Sequence, residues 1–205
     1  MLFLTFFIGF ILSSIGSIPP SMLNMTSLKI SLEKGRKASN KYALGVSIIA
    51  IPQVFIAVIL TKHIAENPAI LGVLEKAGIL IFILLSYYFY SASRKGKIKV
   101  EEIKKKKEFP FLTGITLSVI NMFGIPFFCG IVVLLDALRL FSFHMVSVLF
   151  FTLGSVLGTF YVLFLYGKFA KKIQQKTGKL TKDINIVLSI LTGFVAVITL
   201  IKGFI

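Results

Sequence analysis

An apolar run from Leu2 to Met25 is interrupted by Ile15-Gly16-Ser17-Ile18-Pro19-Pro20-Ser21. A continuous helix cannot pass cleanly through that stretch. Each proline lacks an N–H, and its ring clashes with the carbonyl four residues back, here Ile15 and Gly16. Each costs about 3 kcal/mol in a helix interior. Lipid offers the freed carbonyls no partner. The break must therefore either face a polar cavity or be sealed by neighbouring helices. A second apolar segment carries a comparable interruption from Asn121 to Pro126. Two proline-interrupted segments at corresponding places in two halves of a chain point to a transporter site.

The rest of the chain agrees with a membrane setting. Of 205 residues, 56% are apolar, and the mean hydropathy is +0.92. No soluble domain needs that much apolar surface. Several runs approach the roughly 20 residues that cross about 30 Å of hydrocarbon. The expected fold is an all-α integral membrane protein with six transmembrane helices. The expected spans are 2–25 (continuing as a short helix toward Leu32), 42–61, 70–91, 109–135, 144–167 and 183–204. A single membrane domain, 1–205, would hold a first three-helix half (1–91), a basic linker (92–108) and a second half (109–205).

The net charge of +15 could suggest nucleic acid, but its distribution argues against that. Nineteen of the 23 Lys and Arg residues fall in three clusters between alternate spans: Lys29 to Lys41, Arg94 to Lys107 and Lys168 to Lys182. That bias places the three clusters in the cytoplasm and both termini outside. The same lysines would meet anionic lipid headgroups. Pro110 suits the first turn of the fourth helix, where a missing N–H does no harm.

With this parity the first helix enters from outside and the fourth from inside. Phe6, Gly9 and Ser13 match Phe111, Gly114 and Ser118 at a constant offset, while Gly45 and Ala50 roughly match Gly154 and Gly158. The expectation is a 3+3 inverted repeat with broken first and fourth helices.

Polar residues at mid-depth are the candidates for binding. Ser13, Ser17 and Ser21 are spaced four apart, so one helical face would carry all three. They could line a cavity or mark close helix packing. A helix restarting at Pro20 would aim its free N–H groups at whatever fills the break, an end that attracts anions such as a carboxylate. Asn24 would hold the opened chain in shape. Asn121 offers a donor and an acceptor where Gly124 and Pro126 loosen the backbone, with Pro126 freeing the carbonyl of Met122. Gln53, next to Pro52, either binds substrate or bridges the backbone that Pro52 frees. The candidate set is Ser13, Ser17, Pro19, Pro20, Asn24, Gln53, Asn121 and Pro126.

Other residues have plainer readings. Gly154 and Gly158 suit a close helix contact. Tyr87, Tyr88 and Tyr90 suit an interfacial belt. Asp136 and Arg139 would pair at a helix end, and His63 and His144 would lie at outer helix ends. Cys129 is the only cysteine, so a disulfide, a thiol relay and a multi-cysteine metal site are excluded. The sequence has no metal cluster, phosphate loop, nucleophile–base pair or paired carboxylates, so neither an enzyme nor a cofactor is expected.

The stretch Ile18-Pro19-Pro20, the basic segment Lys29 to Lys41, Ala43 to Gly45 and the region Asn121 to Pro126 together resemble the lysine exporter (LysE/RhtB) superfamily of bacterial amino-acid exporters. Members have about 200 residues, six helices and Pro-Gly-Pro near the end of the first. Here Ile18 and Pro19 replace the first proline and the glycine, and Pro20 is kept. The acidic membrane residues of some lysine exporters have no counterpart, so a cationic substrate is not indicated. The resemblance implies export of a small polar metabolite across the bacterial cytoplasmic membrane, with a homo-oligomer left open. The competing class is a non-transporting scaffold that uses the prolines as packing kinks and the basic segments as docking surfaces.

Overall fold

The computed structural model describes residues 2–66, 109–121 and 123–175, with isolated helical positions at 83, 86, 87, 90, 91, 190, 193 and 197. The expected third and sixth spans, the linker 92–108 and Met122 lie wholly or mostly outside the described residues. Six helices are defined: α1 (Leu2–Ser17), α2 (Met22–Lys34), α3 (Arg36–Glu66), α4 (Pro110–Ile120), α5 (Gly124–Ala137) and α6 (Met145–Lys168). No strand occurs among the described residues. The described residues are predominantly α-helical. The chain divides into two compact units, residues 1–62 with 100–174, and residues 63–99 with 175–205. Apart from the exposure of His63, Tyr87 and Tyr90, everything below concerns the first.

Among the described residues, two helices can cross a membrane alone by length and composition, Arg36–Ile64 and Met145–Lys168. The 24 residues of α6 reach about 36 Å, enough for roughly 30 Å of hydrocarbon. Two further spans are possible only as bent pairs. α1 and α2 meet at 79°, and α4 and α5 at 65°. Both interruptions read from the prolines are therefore real breaks.

α1 is apolar on every side except a stripe of small residues. Thr5, Gly9 and Ser13, four apart, are its buried positions. That stripe packs on α6, where Gly154 and Gly158 lie against the Phe6 and Phe10 carbonyls. A Cβ on either glycine would overlap those carbonyls, so the close approach requires glycine. Ser13, 1% exposed, donates to the Ser155 carbonyl at 2.9 Å. Its single proton is then committed, so Thr159 is the donor in the 2.8 Å contact between their hydroxyls.

The same set of contacts occurs between α4 and α3. Gly9 lies against the Phe151 carbonyl, and Gly114 against that of Tyr42. Gly154 meets the carbonyl of Phe6, and Gly45 that of Phe111. Ser13 bonds the residue after Gly154, and Ser118 bonds the residue after Gly45, its hydroxyl donating to Val46 O at 3.3 Å. In both pairs the contacts advance in one direction along both chains. Phe3 meets Phe150 while Tyr166 reaches Ile18, and Gly45 meets Phe111 while Gln53 reaches Ser118. Each pair is therefore parallel.

The short helix expected toward Leu32 is present, and the rest of the basic segment to Lys41 is helical as well apart from Gly35. α2 runs through Lys34, a single residue, Gly35, turns the chain at φ +85°, and α3 starts at Arg36. Left-handed backbone favours glycine there, and the Gly35 N–H closes α2 on Ser31 O. α2 is held by hydroxyls. Ser27 donates to Leu163 O at 3.0 Å and Ser31 to Gly167 O at 2.6 Å, both on α6. Ser39 and Tyr42 of α3 donate back to Ser27 O and Leu23 O.

The main apolar core joins α3, α5 and α6 through residues such as Val54, Ala57, Phe128, Val132 and Phe151. Cys129 is part of its rim, with its Sγ 3.7 Å from Ala57 O. Asp136 and Arg139 meet through the main chain, the Arg139 N–H donating to Asp136 O at φ 57°. His144 begins α6 and is exposed, as are His63, Tyr87 and Tyr90.

Candidate functional site

The first break occupies Ile18 to Ser21. α1 ends at Ser17 and closes with a short bond from the Ile18 N–H to Ile15 O. Three successive carbonyls then lose their helical partners, and each acquires a side-chain donor. Asn24 is 2% exposed, and its Nδ2 donates to Ser17 O at 2.7 Å and to Pro19 O at 2.8 Å. Tyr166 of α6 donates its hydroxyl to the intervening Ile18 O at 2.7 Å. Each such bond gives a partner to a carbonyl that the break leaves without one, which counts most where the acceptor is shielded from solvent, as beside Asn24.

Ser21 then starts α2. Its backbone is extended, its Oγ accepts from the Asn24 N–H at 3.3 Å, and its carbonyl accepts from the Met25 N–H at 2.9 Å. This is an ordinary serine N-cap. Helix geometry leaves the Met22 and Leu23 N–H groups without intrahelical partners. Because the chain turns at the break, Ser21 does not continue the face of Ser13 and Ser17. The single serine face expected from the spacing is thus divided. Ser13 is turned into α6, Ser17 gives its carbonyl to Asn24, and Ser21 caps the next helix.

The second break is built differently. Asn121 caps α4 through main-chain geometry, its N–H bonding Leu117 O at 3.0 Å. α5 restarts at Gly124 with Phe123 at its N-cap and no side-chain cap bond. Pro126 is therefore the third residue of α5, inside the first turn. Its missing N–H is one that no helix would use. The sequence reading, in which Pro126 interrupts a helix interior, is corrected by that restart. The donor at this break comes from α3. Gln53 Nε2 donates to Ser118 O, in the last turn of α4, at 3.2 Å. Its amide also lies against Gly124, where a Cβ would collide with it. Gln53 thus bridges to the backbone of α4, whereas the sequence offered substrate or the backbone that Pro52 frees as its partner.

The two breaks meet at one contact. Phe127, in the first turn of α5, lays the tip of its ring on Gly16, the second-last residue of α1. Any side chain at position 16 would overlap that ring. The structure thus gathers Ser17, Pro19, Pro20 and Asn24 around one break, and Gln53, Asn121 and Pro126 around the other. Phe127 joins them.

Sequence reasoning missed Tyr166, Phe127 and the hydroxyls of α2. Ser27 and Ser31, four apart and followed by Ser39, carried a signal of helix packing like that of Ser13 and Ser17. Tyr166 and Phe127 carried none, because one tyrosine or phenylalanine among many apolar neighbours has no distinguishing spacing.

A family model described as LysE type translocator matches residues 14–203, nearly the whole chain. The chain belongs to the LysE type translocator family. It is thus a multi-pass membrane protein of a transporter family. The match begins within the last turn of α1 and includes both breaks. No curated protein and no solved structure matches the chain.

Proposed function

We propose that this translocator exports a small polar metabolite, such as an amino acid, from the bacterial cytoplasm by alternating access. The substrate would bind at mid-depth between the two breaks. Ser17, Pro19, Pro20 and Asn24 would border it on one side, with Gln53, Asn121 and Pro126 on the other. Ser13, committed to α6, would shape the site through packing. Both termini would lie outside, as the basic clusters require.

The observation that carries this reading is the repetition of contacts. The pairs Gly9–Phe151, Gly154–Phe6 and Ser13–Ser155 recur as Gly114–Tyr42, Gly45–Phe111 and Ser118–Val46. A duplicated three-helix unit, inserted in opposite senses, explains why the equivalent helices pair across the halves. It also explains the parallel register, since spans one and five, and spans two and four, cross in the same sense. Inverted repeats with discontinuous helices at their interface place substrate at the midplane.

The test is counterflow in proteoliposomes loaded with individual unlabelled amino acids and assayed with their labelled forms. The wild type should accumulate label for at least one. Asn121→Leu should remove that uptake while keeping a monodisperse, folded protein. If a panel of polar metabolites, chosen from those retained by a deletion strain, also gives no exchange, the scaffold class takes precedence.

A further inference from the structure

We propose that Phe127 is the gate of the break site, and that its ring volume sets the size of substrate side chain the translocator accepts. This rests on the transport reading above and adds a specificity-determining residue to it.

The argument starts from placement. Phe127 is the fourth residue of α5, directly after the second break, and its ring tip is seated on Gly16 beside the first. It is half-buried, and so is Ser17. Its neighbour Phe128 points into the α3–α5–α6 core and is 4% exposed. The two rings stand edge to face at 5.3 Å. Phe128 thus anchors the first turn of α5, and Phe127, packed against the edge of the same core, carries its ring tip across to Gly16.

The receiving surface is equally specific. Gly16 presents bare backbone, and a Cβ there would overlap three carbons of the Phe127 ring. A flat ring on bare backbone is held by dispersion alone, so it can leave without stranding a polar group. By contrast, withdrawing Asn24 or Tyr166 would strand carbonyls. The contact between the breaks is therefore their cheapest one to open. A substrate bound between them must displace this ring, and what fits is set by the space it vacates.

The experiment uses reconstituted full-length protein in a Cys129→Ser background and amino acids graded from glycine to phenylalanine. Phe127→Ala should raise the uptake ratio of large over small side chains by about tenfold, the scale of one or two methylenes in an apolar pocket. Phe127→Leu, the milder change, should fall between. Gly16→Ala should depress uptake of every substrate, and adding Phe127→Ala should restore it, because the methyl then has room. An unchanged size ratio in both Phe127 variants would show that the ring is only packing.

A second arm needs no transport. Maleimide labelling of Ser17→Cys should be about tenfold faster with Phe127→Ala than with Phe127 present. Accelerated labelling in a protein that moves no amino acid would leave the gate standing and overturn the amino-acid reading. Unchanged labelling overturns the gate.

Discussion

The two breaks solve one problem by opposite means. At the first, three carbonyls in a row are met by side chains held in place for the purpose, two by Asn24 and one by Tyr166. Ser21 caps the helix that follows. At the second, the chain turns on main-chain bonds of Asn121 and restarts without a side-chain cap. One amide from another helix, Gln53, reaches in. The proline pair breaks the helix, and the carbonyls within the break, Ser17 to Pro19, are met by side chains. A single proline that falls in a first turn removes nothing the helix would have used. The first break is therefore framed by side chains, and the second largely by main chain.

The sharpest way to break that contrast is to remove its amides in turn. Asn24→Leu strands Ser17 O and Pro19 O in a place almost closed to solvent. At about 1–3 kcal/mol for each unsatisfied acceptor, the loss should be about 4 kcal/mol. Gln53→Leu strands one carbonyl at a less buried site and should cost about 1 kcal/mol. Thermal unfolding in detergent measures both. Equal losses would mean the two breaks are framed alike.

The repeated helix contacts give the next test, smaller in effect. Gly154→Ala and Gly45→Ala each push a methyl into a facing carbonyl, of Phe6 and of Phe111 respectively. Overpacking of this kind costs about 1–3 kcal/mol. If the pairs α1–α6 and α4–α3 are equivalent, the two losses should agree within about 0.5 kcal/mol, and the double variant should be additive. A loss at one position only would leave the matching contacts without a shared origin.

Much of this was legible in the chain. Prolines, glycines and small residues at spacing four report backbone geometry directly, so both breaks and the Gly154–Gly158 contact could be read from them. The offset linking Phe6, Gly9 and Ser13 to Phe111, Gly114 and Ser118 held for their contacts as well. What could not be read was which donor meets which carbonyl. Gln53 was visible as an amide needing a partner, yet its partner, Ser118 O, lies 65 residues away. The short helix toward Leu32 was legible, but its passage into α3 through the rest of the basic run to Lys41 was masked by charge. Its turn rests on one residue, Gly35, and the serines that bury α2 are ambiguous between caps and packing.

Pro126→Ala has the smallest expected effect and is the most pointed. Read from sequence, Pro126 belongs to the interruption that begins at Asn121 and frees the carbonyl of Met122. In the structure it sits in the first turn of α5, exposed, where proline is as good as alanine. Its substitution should therefore change stability by less than about 0.5 kcal/mol. Pro20→Ala is the control. It restores one N–H within the run that Asn24 frames, but Pro19 still interrupts the ladder, and the Asn24 bonds hold the carbonyls apart. The break should survive that change, with proteolysis and unfolding profiles like the wild type. A large gain for Pro126→Ala would mean that α4 and α5 form one strained helix under the conditions of measurement. The contrast in framing would then fall, because only the first interruption would be a break in the folded protein.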